Sequence, residues 1–238
     1  MEGKSSTVSV FGATGLIGGS VIRALMEDGY SIRIFARNVE KSRDMFPEVK
    51  EHIRWDYTRD DWKQNLEGSA VVINFSGAPI FQKWKGNYRK EIWDSRVEAT
   101  KQIVDAISRC TEKPGLLING SASGIYGYDS FDDREVDESS PPGRDFWGDL
   151  VTAWEKEAMA AASMGDECVR FICQGWCMID HDHLEITKFS QARQRILYVI
   201  LPALPDYYEP IARSVRLQEY INCASAEGLH IDLIGQFP

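Results

Sequence analysis

The chain has 238 residues, 43% hydrophobic and 26% charged, which suits one soluble globular domain with room for a real core. Its net charge of -9 argues against nucleic acid or an anionic membrane as the main partner, although local amides and a few arginines can still hold an anionic cofactor. The first seven residues are polar, with no apolar stretch of a signal peptide, and the longest apolar run, from Ile196 to Leu201, is too short to span a bilayer. Five scattered cysteines, an odd number, fit a reducing cytoplasm.

Thr7-Val8-Ser9-Val10-Phe11 reads as a buried first strand. Gly12-Ala13-Thr14-Gly15-Leu16-Ile17-Gly18 follows as a glycine turn, and residues 20–28 read as a helix whose stripe is Ile17, Val21 and Leu25. Gly29 stops the helix, and a second strand runs through Ser31-Ile32-Arg33-Ile34-Phe35-Ala36-Arg37. Strand, glycine turn, helix and strand form the βαβ unit of a dinucleotide-binding fold. Gly12 permits the sharp turn, Gly15 lets a pyrophosphate approach the backbone, and Gly18 lets the helix pack closely. Thr14 and Ile17 share that turn. The positive helix end then faces the phosphates.

A carboxylate at the end of the second strand would bind the ribose hydroxyl of NAD. Ala36-Arg37 stands there instead, which favours the 2′-phosphate of NADP. Asn38 can cap a short helix reaching Phe46. A third strand is expected over residues 52–57, with Asp56 near its end, where an adenine would lie. Asp60-Asp61 opens a short helix to Leu66. Ala70-Val71-Val72-Ile73-Asn74-Phe75 reads as a buried fourth strand, followed by Ser76 and Gly77, a small-residue turn able to pass close to the cofactor.

One long helix is expected over residues 88–110, buried through Ile92, Ala99, Ile103 and Ile107. Leu116-Leu117-Ile118-Asn119-Gly120 forms a fifth strand. It leads into Ser121-Ala122-Ser123-Gly124-Ile125-Tyr126-Gly127, which puts two hydroxyls and a phenol at the carboxyl edge of the sheet, where ligands of open α/β sheets bind. Residues 128–145 read as a mobile acidic loop, 146–163 as a helix and 167–173 as a sixth strand. The alternation predicts an α/β fold: a Rossmann-like doubly wound parallel sheet flanked by helices.

Several of these stretches together resemble extended short-chain dehydrogenase/reductases of the NAD-dependent epimerase/dehydratase superfamily. They are the 12–18 turn, Asn74-Phe75-Ser76-Gly77, Lys90-Glu91-Ile92-Trp93-Asp94-Ser95-Arg96-Val97-Glu98, the 121–127 loop, Glu138-Ser139-Ser140-Pro141-Pro142-Gly143 and Leu150-Val151-Thr152-Ala153-Trp154-Glu155. Within that superfamily the chain resembles the "epimerase family protein" group, sometimes labelled cell-division inhibitors. The resemblance covers residues 7–177 and implies an NADP-binding core with sugar-nucleotide-epimerase-like ancestry. It places Ala36, Arg37, Phe75, Ser76, Glu91 and Arg96 at cofactor-contacting positions. Arg96 by itself can pair with Glu91 or with a phosphate.

The superfamily's Tyr-x-x-x-Lys pair falls on Leu150 and Trp154, neither of which transfers a proton. Ser123 or Ser121 fills the strand-five serine role, and Tyr126 is the nearest substitute proton donor. The catalytic candidates are therefore Ser123 and Tyr126. Two readings stay open: an NADP-dependent oxidoreductase or epimerase-like enzyme acting on a small polar substrate such as a sugar nucleotide, and a non-catalytic NADP-binding sensor or assembly protein.

Residues 1–177 form the expected dinucleotide-binding domain, and 178–238 a divergent or truncated C-terminal region, read as a reduced substrate cap with a helix over 184–201. Cys173, Cys177, His181 and His183 match no common zinc spacing, so no metal is expected. No G-x-S-x-G motif supports a hydrolase. The acidic run Asp129, Asp132, Asp133, Glu135, Asp137 and Glu138 reads as a solvated loop. The long helices over 88–110 and 146–163 are the candidate surfaces for a homodimer.

Overall fold

A computed structural model describes residues 7–127, 136, 140–163, 168–175 and 196–200. Strands β1 (Thr7–Phe11), β2 (Ser31–Ala36), β3 (Glu51–Arg54), β4 (Ser69–Asn74), β5 (Leu116–Ala122), β6 (Cys168–Gly175) and β7 (Ile196–Ile200) form one sheet in the order β3-β2-β1-β4-β5-β6-β7. All six pairings are parallel. The strand order reverses between β1 and β4. That switch point opens a crevice at the carboxyl ends of the strands, and the 12–18 turn sits there. The Rossmann-like α/β reading therefore holds.

Helices α1 (Leu16–Glu27), α2 (Val39–Met45), α3 (Tyr88–Asp94), α4 (Val97–Arg109) and α5 (Phe146–Met159) connect the strands, with short 3-10 turns at Lys63–Leu66, Ser123–Tyr126 and Ala160–Ser163. Two apolar layers hold the sheet. One packs Ile22 and Leu25 of α1 and Phe46 on Val8, Val10, Ile32, Ile34 and Ile73. The other packs Ile103, Val104 and Ile107 of α4 with Trp62 and Leu66 on Phe11, Phe35, Val72 and Leu117. Phe11 and Phe35 stack at 4.4 Å between ring centroids, at the register where β1 and β2 pair.

Four expectations need correction. Helix α1 begins at Leu16, four residues early, and buries Gly18, Gly19, Ile22 and Leu25. Ile17 and Val21 are only partly buried, because they lie to the side of the face that α1 turns inward. Strand β3 ends at Arg54, so Trp55 and Asp56 lie beyond it, although the Trp55 amide still donates to the Ala36 carbonyl at 3.0 Å. Residues 196–200, expected in a helix, form a strand beside β6, inside the segment read as a separate C-terminal region. Their Ile-Leu-Tyr-Val-Ile composition suits a strand.

The fourth correction is the long helix, which is two helices broken at Ser95 and Arg96. In a continuous helix the Arg96 amide would donate to the Ile92 carbonyl. Here that carbonyl accepts from the Ser95 hydroxyl at 3.1 Å and from Arg96 Nη1 at 3.3 Å, while the Arg96 amide turns to Trp93 at 3.0 Å. Side chains thus compete with the backbone ladder and end α3. Ser95 Oγ also accepts from the Ala78 amide at 2.8 Å, which ties the break to the turn after β4. The expected buried positions Ile92, Ala99, Ile103 and Ile107 are all fully buried.

A buried polar network fixes the ends of β4 and β5. Asn74 Nδ2 donates to Asn119 Oδ1 at 2.7 Å and to Thr100 Oγ1 at 3.0 Å. Asn74 Oδ1 accepts from the Ser76 amide at 3.1 Å and hydroxyl at 2.6 Å. Trp154 Nε1 donates to Thr100 Oγ1 at 2.9 Å, and Asn119 Nδ2 to the Gly120 carbonyl at 2.8 Å. The network joins two strands, two helices and the turn after β4, and it keeps these buried groups paired.

Two stability measurements follow. Asn74→Leu strips partners from Thr100, Asn119 and Ser76, and is expected to lower unfolding free energy by about 3 kcal/mol or more in urea titration, since each orphaned group costs about 1–3 kcal/mol. A loss below about 1 kcal/mol would show the network to be dispensable. Gly12 has a φ of 78°, and a Cβ on it would lie 2.5 Å from the Phe75 carbonyl carbon and oxygen and 2.8 Å from the Ser76 amide. Gly12→Ala is expected to be at least as damaging, about 3 kcal/mol from strain and overpacking together; a near-native melting temperature would contradict that contact.

Candidate functional site

The site is assembled where the turn after β1 meets the turns after β4 and β5. Gly12 lies against the backbone of Phe75 and Ser76, and the Phe75 amide donates to the Phe11 carbonyl at 3.0 Å. A Cβ at Gly18 would come within 2.3 Å of the Gly12 carbonyl oxygen. Gly18 therefore seats α1 on the glycine turn itself. The turn closes through the Gly15 amide, which donates to Gly12 at 3.0 Å.

Gly15 is the exposed residue preceding α1. The helix start has no side-chain cap and no acidic residue in its first turn. By contrast, Asn38 caps α2 through the Lys41 amide at 2.8 Å, and Asp145 caps α5 through Trp147 and Gly148 at 3.0 and 2.9 Å. The first amides of α1 are thus left to an outside acceptor. Thr14 and Ile17 beside them are partly buried.

Across the crevice, Ala36 is buried at the end of β2 and Arg37 is exposed just beyond it. Arg37 has no ion-pair partner among the described residues. Asp56 is partly exposed. One of its carboxylate oxygens accepts from the Thr58 hydroxyl at 2.7 Å and amide at 2.9 Å, which holds the carboxyl below its usual range. Phe75 is partly buried, Ser76 buried and Gly77 exposed. The Ser76 hydroxyl points into the polar network, so the turn presents backbone outward.

Arg96 does not pair with Glu91. Its Nη1 donates to the Ala78 and Ile92 carbonyls, at 3.1 and 3.3 Å. Burial pulls the guanidinium down to about 10, opposed by Tyr88. Glu91 is exposed on α3, and its charge helps to raise the Tyr57 phenol, after burial and Asp94.

The catalytic candidates separate. Ser121, 1% exposed at the end of β5, donates its hydroxyl to Glu155 on α5. Ser123 and Tyr126 bound the 3-10 turn after β5, both partly buried. That turn is locked to the entry of α5: the Gly143 amide donates to the Ile125 carbonyl at 2.8 Å, and a Cβ at Gly143 would lie 2.5 Å from Gly127 Cα. Leu150 and Trp154 are buried with Ala78, Ile92 and Val97, so the Tyr-x-x-x-Lys positions form an apolar wall. The Trp154 ring presses on Gly120, where a Cβ would lie 2.9 Å from Cη2.

Sequence reasoning did not single out Thr100, Asn119 or Glu155. Of these, only Glu155 carried a signal, as part of the Trp-Glu motif. It also missed an open cleft of about 460 Å3 among Gly86, Asn87, Arg89, Lys90, Trp93, Phe146 and Asp149. Arg89 stacks over Phe146 there at 4.3 Å. The expected acidic run and Cys177, His181 and His183 lie outside the described residues. No helix among the described residues is long and apolar enough to cross a membrane.

Comparison with known proteins agrees with this geometry. The epimerase family protein SDR39U1 homolog, chloroplastic, of Arabidopsis thaliana is 34% identical over 157 residues, 65% of this chain and 45% of its own length. The epimerase family protein YfhF of Bacillus subtilis is 30% identical over 158 residues, 66% of this chain and 51% of its own. The chain thus spans about half the length of these curated relatives.

Among solved structures, human epimerase family protein SDR39U1 (isoform2) with NADPH superimposes with a TM-score of 0.55 at 26% identity, over 71% of this chain and 52% of that one. A UDP-glucuronic acid 4-epimerase from Bacillus cereus, in complex with UDP-glucuronic acid and NAD, shares the fold at 19% identity and a TM-score of 0.58, over 71% of this chain and 56% of that one. Residues 8–147, more than half of the chain, match the NAD dependent epimerase/dehydratase family, and with the crevice and glycine turn described above the chain belongs to that family.

Proposed function

We propose that the chain binds NADP(H) in preference to NAD(H) and works as an oxidoreductase or epimerase-like protein of the short-chain type on a small polar substrate, such as a sugar nucleotide. The uncapped start of α1 behind exposed Gly15 carries this reading. A pyrophosphate there would meet free amides and the positive helix end, with no acidic side chain in the first turn. Arg37, exposed and without an ion-pair partner among the described residues, would take the 2′-phosphate, and Asp56 the adenine amino group. The backbone of Ser76 and Gly77 would border the nicotinamide ribose. The complex of the human relative with NADPH supports the choice of NADP; other neighbours are complexes with NAD.

When bound, the dinucleotide supplies hydride transfer. The chain's own residues supply orientation and proton handling. Ser123 and Tyr126 stand at the carboxyl edge of β5, with Tyr126 the proton donor in this reading. Leu150 and Trp154 make a dry wall that excludes water from that edge. A second reading, binding without turnover by a sensor or assembly protein, is favoured by this same wall, because it removes the usual acid and its lysine. An odd cysteine complement, with the buried Cys110 thiol donating to the Ala106 carbonyl, supports a reducing cytoplasmic setting.

Titration with NADPH and NADH, followed by a screen for oxidation of bound NADPH across carbonyl substrates, separates the two readings. Gly15→Val places a branched side chain in the pyrophosphate space and is expected to weaken both dinucleotides at least a hundredfold in a protein that still folds, with a modest drop in melting temperature because a Cβ there lies 3.2 Å from the Gly12 carbonyl oxygen. Arg37→Glu is expected to weaken NADPH at least tenfold and to leave NADH within about threefold, the loss of one charge-assisted phosphate contact being worth about 1.5–3 kcal/mol. Equal effects on the two cofactors would remove Arg37 from the phosphate site.

A further inference from the structure

A run of positive charge stands out in a chain whose net charge is -9: residues 79–90 carry Lys83, Lys85, Arg89 and Lys90 and no carboxylate. The end of this run meets the start of α5 in the open cleft of about 460 Å3. One wall is α3, with Asn87 ahead of it and Arg89, Lys90 and Trp93 on it; the other is the first turn of α5, with Phe146 and Asp149. The volume suits a ligand of one ring. None of the lining residues belongs to the dinucleotide crevice.

Trp93 and Phe146 are half-buried, with ring centroids 6.4 Å apart. Trp84 extends this aromatic surface, 5.9 Å from Phe146 and 5.5 Å from Trp147. Arg89 lies over the Phe146 face at 4.3 Å. Stacking of this kind holds a guanidinium in place and leaves its in-plane N–H groups for an acceptor. Lys90 is tied to Asp94 one turn along α3. Arg89 and Asp149, by contrast, have no ion-pair partner among the described residues, and although they line one cleft with opposite charges they do not pair with each other. Elsewhere, opposite charges that face each other from separate elements do close: Lys63 with Asp105, Arg109 with Asp60, Arg33 with Glu51.

We propose that this cleft binds a hydroxylated ring carrying a single anionic group, the chemistry of a sugar phosphate or a sugar acid. The apolar C–H face of the ring lies on Trp93 and Phe146. The phosphate or carboxylate meets the Arg89 guanidinium in two parallel bonds. Asp149 and Asn87 take ring hydroxyls, the carboxylate as acceptor and the amide as donor and acceptor. Asp149 also limits the charge of the ligand, since a polyphosphate or a nucleic acid strand would bring further negative charge against it. Trp93 and Phe146 pack on the same apolar cluster as Leu150 and Trp154, so the cleft adjoins the wall at the Tyr-x-x-x-Lys positions. Binding there requires no dinucleotide.

Glucose 6-phosphate, glucuronate, neutral glucose and inorganic phosphate are titrated into the cofactor-free full chain, followed by tryptophan fluorescence and calorimetry. Saturable binding of glucose 6-phosphate or glucuronate, millimolar or tighter, is expected, with glucose and inorganic phosphate each weaker by about tenfold or more. Which of the two anionic probes binds tells phosphate from carboxylate. Arg89→Gln is expected to weaken that probe by about tenfold or more, and Asp149→Ala to weaken it several-fold without weakening inorganic phosphate. Both residues are exposed, and both variants are expected to melt near the parent. NADPH affinity is expected to be unchanged in Arg89→Gln; a parallel loss of both ligands would place Arg89 at the dinucleotide and overturn the assignment. Failure of both anionic probes to bind, or binding that either variant leaves unchanged, overturns the proposal. So does a dimer in sedimentation that Arg89→Gln dissociates while no probe binds, because the cleft is then a face between two copies of the chain.

Discussion

The close contact between Gly12 and the backbone of Phe75 and Ser76 is the constraint on which the site depends. It brings the turns of β1 and β4 into van der Waals contact at the point where the strand order reverses. No side chain fits between them, and the positive φ of Gly12 excludes most other residues on its own account. From this contact follow the seat of α1 through Gly18, the exposure of Gly15 and the direction of the first helical amides. The polar network under Asn74 serves the same end from below, since it fixes the β4 turn against which Gly12 rests.

Much of the scaffold was legible because parallel strands buried on both faces read as short apolar runs, and β1, β2, β4 and β5 are such runs. The glycine turn, the Asn38 cap and the buried face of α4 could be read for similar local reasons. The misreadings share a cause: the feature depended on a partner distant in sequence. Apolar periodicity runs unbroken across residues 92–107, and nothing local shows that Ser95 and Arg96, which break the helix, are tied to Ala78, 17 and 18 positions away. Gly18 and Gly19 add nothing to a hydrophobic stripe, yet both are buried, Gly18 against the glycine turn itself. The Thr100, Asn119 and Trp154 network joins residues up to 54 positions apart and has no pattern of its own.

The site differs from a tyrosine-lysine reductase in more than two substitutions. Trp154 donates to Thr100, presses on Gly120 and faces Arg96. Gly120 has to be bare for the indole to lie where it does. Asn74 and Asn119 complete the acceptors and donors around Thr100. A lysine at position 154 would place a second buried cation beside Arg96. Tryptophan, the bare Gly120 and the cation on the α3–α4 break are therefore one arrangement, and reverting any one of them alone disturbs the other two.

That interdependence bears on whether the chain turns over substrate. A decayed active site would leave the lysine position to drift, with no compensating charge and no satisfied network around it. Here the indole nitrogen is bonded, the neighbouring glycine is matched to the ring, and a buried positive charge persists without a partner among the described residues despite its unfavourable solvation. Such a charge is costly to bury, and the carbonyls of Ala78 and Ile92 together with the Trp154 ring offset part of that cost. Whether a proton moves at this edge depends on Ser123, Tyr126 and the Ser121–Glu155 pair, which carry exchangeable protons there.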